Sequence, residues 1–249
     1  MSETTVLHPF RESDARDWVL ALHGQIDAAT LVPADPAWAS ALLDRTRAAL
    51  DRVAMKDEAA ANRVTFGFAS LLATRHPIFL MPNAALTQIE ARIDRGLGMH
   101  MRPPSRLFLD AGMDPATARA LPIRLDPAMS MMGGCWIPAR LMPTVAETIA
   151  LHEQRILRRM AEAELDAAPM YAQLRDVVAY CVGNSLSLYE SVDVITPGVA
   201  SSLPPGGQVV VPDAKRLDKA ERNRLEEMAK PPKPEKEPGL LSRLLRRGE

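Results

Sequence analysis

Asp35-Pro36-Ala37-Trp38-Ala39-Ser40-Ala41-Leu42-Leu43-Asp44-Arg45-Thr46-Arg47-Ala48-Ala49-Leu50-Asp51-Arg52-Val53 is the run that decides the fold class. An Asp followed by Pro is a helix start. The acid serves as N-cap, and proline takes the first helical position, where a missing N–H costs nothing. Trp38, Leu42, Leu43, Leu50 and Val53 then recur at the spacing that places them on one helical face. The same grammar continues on both sides. Ser13 predicts the cap of a helix whose apolar side is Trp18, Val19, Leu22 and Ile26. Asp57 to Arg75 predicts another, carrying Val64, Phe68, Leu71 and Leu72 and ended by His76 and Pro77. Asn83 opens a further one through Leu86, Ile89 and Ile93, closed by Gly96.

Downstream, Thr144 with Glu147 three residues later has the form of a capping box and predicts a long helix to about Ala167. Pro169 restarts it, and Leu174, Val177, Val178 and Cys181 carry the next helix to Gly183 and Asn184. A short helix over Leu188 to Val194 and a highly charged one over Asp218 to Lys230 follow. Gln208 to Val211 is the single predicted strand, isolated among Pro and Gly. With no fixed-period repeat and no strand–helix alternation, the chain reads as mainly α: an irregular multi-helix globular body with a loop-rich middle and a flexible C-terminal tail. Its expected divisions are a helical body over 1–212, loop-rich at 97–143, a charged helix over 213–230, and a Pro/charged linker with an amphipathic docking peptide over 231–249.

Composition narrows the function classes. The 249 residues are 47% hydrophobic, as in an ordinary globular protein, and the formal net charge is −1. A nearly neutral chain offers no long-range field to a polyanion, so no nucleic-acid partner is expected. Cys135 and Cys181 are the only cysteines, too few for a disulfide scaffold or a four-thiolate zinc site, which points to a reducing, cytoplasmic setting. Neither an export signal nor eighteen uninterrupted apolar residues is visible.

The 97–143 stretch holds the candidate chemistry. Its arginines Arg102, Arg106, Arg119, Arg124 and Arg140 lie on Pro- and Gly-rich sequence, where guanidinium forks bind carboxylate or phosphate. His100, Arg102, Arg106, Arg124 and Cys135 are the candidate ligand-binding residues. Gly133-Gly134-Cys135-Trp136, placed at an expected turn-to-helix junction, resembles over four residues the surroundings of a papain-like nucleophile. That resemblance implies a catalytic His far downstream, yet the last His is His152, and Pro138 blocks the continuing helix. His152-Glu153 begins like a zinc-protease helix, but Ile156 stands where the second His is needed. His76, His100 and His152 have no helical spacing that would gather them on a metal. No phosphate loop is present, and neither a metal nor another cofactor is expected. Met99, Met101, Met113, Met129, Met131 and Met132 read as core filler or as an adaptable groove.

The last twenty residues read differently. Lys230-Pro231-Pro232-Lys233-Pro234-Glu235-Lys236-Glu237-Pro238 cannot pack, and it leads into Gly239-Leu240-Leu241-Ser242-Arg243-Leu244-Leu245-Arg246-Arg247. At about 100° per residue Leu240, Leu241, Leu244 and Leu245 share one apolar arc, with Arg243, Arg246 and Arg247 on the other side. Four leucines contribute about 6 to 12 kcal/mol on full burial, and ordering nine residues costs roughly 1.5 kcal/mol each. Such a peptide therefore needs a preformed groove, a membrane surface with help from arginine, or several copies. The expected function is that of a non-enzymatic adaptor or assembly factor recruited to a larger protein complex through this peptide. The alternative is an enzyme or small-anion-binding protein with its site in the 97–143 loops, and a third reading is peripheral membrane contact.

Overall fold

The computed structural model describes residues 4–53, 55–82, 97, 99–121, 133–192, 194–195 and 203–231. The protein is mainly helical, with ten α-helices among the described residues, but a five-stranded sheet runs through its middle. The strands are β1 (Thr4–Phe10), β2 (Ile78–Pro82), β3 (Gly133–Ile137), β4 (Ser187–Val192) and β5 (Val209–Val210), in the order β3-β4-β1-β2-β5. β1 pairs antiparallel with both β2 and β4, β3 pairs antiparallel with β4, and only β5 runs parallel to its neighbour. The expectation of a mainly α body holds, and the sheet, of which only the β5 strand was expected, is the correction to it.

Helices cover both faces. α1 (Glu12–Leu22), α2 (Ala28–Leu31), α3 (Pro36–Val53), α4 (Glu58–Leu72), α5 (Pro104–Asp110) and α6 (Pro115–Arg119) build one apolar core with Val6, Phe10, Ile78, Leu80, Trp136 and Tyr189. α7 (Met142–Leu151), α8 (Glu153–Glu162), α9 (Ala167–Asn184) and α10 (Lys219–Ala229) build the other with Leu7, Phe79, Met81, Ile137 and Leu188. Successive strand residues thus enter opposite cores, as the pleat requires. Phe68 of α4 centres the first core, with ring centroids 5.0 Å from Phe108, 5.3 Å from Tyr189 and 5.9 Å from Phe10.

Several helix starts are where the sequence puts them. The Asp35 carboxylate accepts from Trp38 N at 2.9 Å ahead of α3, and Asp57 accepts from Ala60 N at 3.0 Å ahead of α4. α1 instead starts one residue before Ser13: Arg11 is the N-cap, and its N–H donates to Asp14 at 2.8 Å. α7 begins at Met142 with Pro143 in its first turn, so Thr144 lies inside the helix, and the expected long helix breaks at His152 into α7 and α8. The expected helix over Leu188 to Val194 is strand β4, and the expected junction at Gly133-Gly134-Cys135-Trp136 is strand β3. The isolated strand is β5, held to β2 beside it by Gln173 of α9, whose Nε2 donates to Leu80 O at 3.2 Å and Val210 O at 2.7 Å. The helix expected from Asn83 lies outside the described residues.

α10 packs on α8 and α9. Leu225 is fully buried, Arg224 holds both oxygens of Glu153 at 2.6 and 2.9 Å, and Arg175 donates to Glu221 at 2.5 Å.

Candidate functional site

α1, α3 and the α5–α6 corner meet around a surface cleft of about 480 Å³. α1 stops at Leu22, and Arg47 of α3 satisfies its last carbonyls, donating to Ala21 O at 2.5 Å and Leu22 O at 3.1 Å. Gly112 turns the α5–α6 corner at φ +93, a left-handed angle that suits glycine. This drops Met113 into the core and sets Asp114 as the cap of α6, accepting from Thr117 N at 2.9 Å and Thr117 Oγ1 at 3.1 Å.

Leu22, Leu50 and Met113 form the cleft's floor, and His23, Arg47, Asp51, Asp114 and Thr117 its rim. Arg47 is spent on α1's carbonyls and on Asp44. Asp51 is exposed and makes no hydrogen bond or ion pair among the described residues. The hydrogen bonds from Thr117 hold the Asp114 carboxyl below the usual carboxylate range, so it is ionised at neutral pH. In formal charge the acids Asp51 and Asp114 outnumber Arg47 in the lining, and they lie beside the negative end of the α1 dipole. Such a surface suits an apolar group that carries a cation.

The sequence-predicted ligand residues that fall among the described residues take the following places. Arg102 forms a backbone bridge with Trp136 that extends the sheet beyond β3, and its guanidinium donates to Met99 O at 2.9 Å and Met101 O at 2.8 Å. Arg106 is exposed on α5 and His100 half-buried in a turn. Cys135 is buried, with its Sγ donating to Glu190 Oε2 at 3.2 Å. Arg124 and the peptide residues Leu240, Leu241, Arg243, Leu244, Leu245, Arg246 and Arg247 lie outside the described residues. Two of the histidines considered for a metal have side-chain partners nearby. His76 lies 3.4 Å from the Tyr180 hydroxyl, and His152 2.8 Å from Arg155. Among the described residues no group of three or more His, Cys, Asp or Glu is placed to hold a metal ion.

Two polar groupings escaped the sequence reading. His8 of β1 places Nε2 2.8 Å from Ser191 Oγ of β4, the spacing of a nucleophile and its base. Both residues are fully buried, and among the described residues His8 Nδ1 has no hydrogen-bond partner to orient the ring. Burial lowers the His8 pKa to about 3, which keeps the ring uncharged at neutral pH. At the edge of the sheet, Asp14 lies beside Arg75 at 3.8 Å, with His76 and Tyr180 close by. Burial raises the Asp14 pKa and lowers that of His76. The residues of both groupings, like those of the cleft, lie far apart in sequence, so no motif spacing announces them.

Comparison with protein-family models, curated proteins and solved structures finds no match to this chain. No helix among the described residues is long and apolar enough to cross a membrane.

Proposed function

We propose that this protein is a non-enzymatic adaptor or assembly factor, recruited into a larger protein complex through Leu240, Leu241, Leu244 and Leu245, with Arg243, Arg246 and Arg247 at the rim of the contact. The observation that carries this reading is the anchorage of α10. Buried Leu225 and the Arg224–Glu153 and Arg175–Glu221 pairs fix the helix to the body, immediately before the Pro/charged linker begins. A docking peptide works best on a leash that starts from a firm point, because its effective concentration at a partner is then set by the linker alone. The loop-site alternative draws less support, since Arg102 and Cys135 are committed to contacts within the fold.

Affinity capture with the full chain tests the reading. Leu241→Asp with Leu244→Asp abolishes recruitment, whereas changing the three arginines to Gln weakens it only modestly. Strong, salt-sensitive sedimentation with anionic vesicles that the Gln variant loses would replace the protein partner with a membrane.

A further inference from the structure

We propose that the cleft at the end of α1 is the receptor for the 240–247 segment of a second copy of this chain, so that copies join head to tail. The proposal rests on the docking-peptide reading and names the partner. The cleft offers an apolar floor in Leu22, Leu50 and Met113 under the negative charge of Asp51 and Asp114. The segment supplies the complement, an arc of four leucines flanked by Arg243, Arg246 and Arg247. Arg47, the arginine of the lining, already holds the α1 carbonyls and Asp44.

Reach decides between the chain's own cleft and another's. α10 belongs to the helical layer on one face of the sheet, and the cleft to the layer on the opposite face. The linker from Pro231 to Gly239 spans at most roughly 30 Å. A compact chain of this length has a radius of gyration of about 18 Å and so measures about 45 Å across. With α10 and the cleft in opposite layers, a leash of that length favours a neighbour's cleft over the chain's own. A joint of this kind is heterologous, and repeated it closes into rings or extends into chains.

Full-length variants test it by complementation. Leu241→Asp with Leu244→Asp removes the peptide and leaves the cleft, while Asp51→Arg spoils the cleft and leaves the peptide. Asp51 is exposed and without partners, so an unchanged melting temperature verifies that the fold survives. In light scattering after size exclusion, the wild-type mass rises with concentration, and each variant alone weakens association at least tenfold. An equimolar mixture of the two restores a one-to-one dimer that grows no further, because only one good peptide meets one good cleft. A wild-type chain that stays monomeric at about 0.1 mM, or a mixture that fails to pair, overturns the proposal. If the leucine variant still loses capture of a different protein in that case, the docking-peptide reading stands. If it changes neither measurement, both fall.

Discussion

The interior of the sheet and the clasp around α10 use similar side chains under opposite conditions. His8, Ser191, Tyr189 and Glu190 are at most 1% exposed, whereas the Arg224 and Glu153 side chains of the clasp are 48% and 19% exposed. Burial acts against charge in the first region, lowering the His8 pKa to about 3 and raising that of Tyr189 far above its ordinary value. In the second region water still solvates the ions. Hydrogen bonds from Arg224 hold the Glu153 carboxyl below its usual range, and the pair remains charged. His8 and Tyr189 are thus neutral in the middle of this fold, and the Arg224–Glu153 pair is ionic at its edge. The first condition answers to pH and the second to salt.

The sharpest test of that contrast is acid. His8 is neutral in the folded state down to about pH 3, while in the unfolded chain it takes up a proton near its ordinary value of 6.5. The unfolded state therefore binds more protons as pH falls, so the stability His8 provides is complete above about pH 6.5 and lost progressively below it. The slope approaches about 1.4 kcal/mol per pH unit, and the loss reaches roughly 4 to 5 kcal/mol at its limit. His76, also lowered by burial, adds in the same direction. Asp14, raised by burial, opposes it, since its contribution is lost as pH rises through its folded pKa. Denaturant titrations between pH 7 and pH 4 should show the wild type losing stability steeply and His8→Gln losing it more gently. Parallel losses in the two proteins would mean that the buried ring is not the source.

The same contrast explains what could be read from the sequence. α3 was legible because it buries one face, which leaves a 3.6-residue rhythm, and α4 because Asp57 caps an amphipathic first half, although its second half is buried nearly all round. β1 was not, because all of Thr4–Phe10 is buried between two helical layers, and a strand covered on both faces has no alternation to show. It also contains Pro9, which argues against a strand. β2 pairs with β1 only as far as Leu7, so Pro9 lies where the strand has a partner on one side, and there a missing N–H is tolerated. β4 placed Leu188, Tyr189 and Val192 at spacings a short helix shares. The cleft was illegible for another reason: its floor comes from positions 22, 50 and 113, which only the packing of α1, α3 and the α5–α6 corner brings together.

A smaller effect is expected at the clasp. Arg224→Ala removes both hydrogen bonds to Glu153 and should cost about 0.5 to 1 kcal/mol, the upper range for a partly exposed pair, with the deficit shrinking in molar salt. Leu225, fully buried between the ion pairs, keeps α10 in place. Hydrogen exchange over residues 219–229 is the sensitive readout, because a loosened helix opens locally before the fold does. A destabilisation that is large and indifferent to salt would show that Arg224 acts through packing of its alkyl stem, and the ionic half of the comparison would fail.

The smallest expected effect comes from removing the linker and peptide altogether. Among the described residues, the last fully buried side chain of α10 is Leu225, and the last backbone hydrogen bond there runs from Lys230 N to Glu227 O. Four prolines at 231, 232, 234 and 238 supply no backbone donors to continue either a helix or a strand. A chain ending at Pro231 should therefore melt within about 1 °C of the full chain, since nothing worth as much as a few tenths of a kcal/mol is lost. The measurement is a dilute thermal melt of both forms, at a concentration where copies do not associate. A drop of several degrees would place the leucines on the chain's own body. The linker would then be a strap rather than a leash, and the long reach to a neighbouring cleft would no longer be needed.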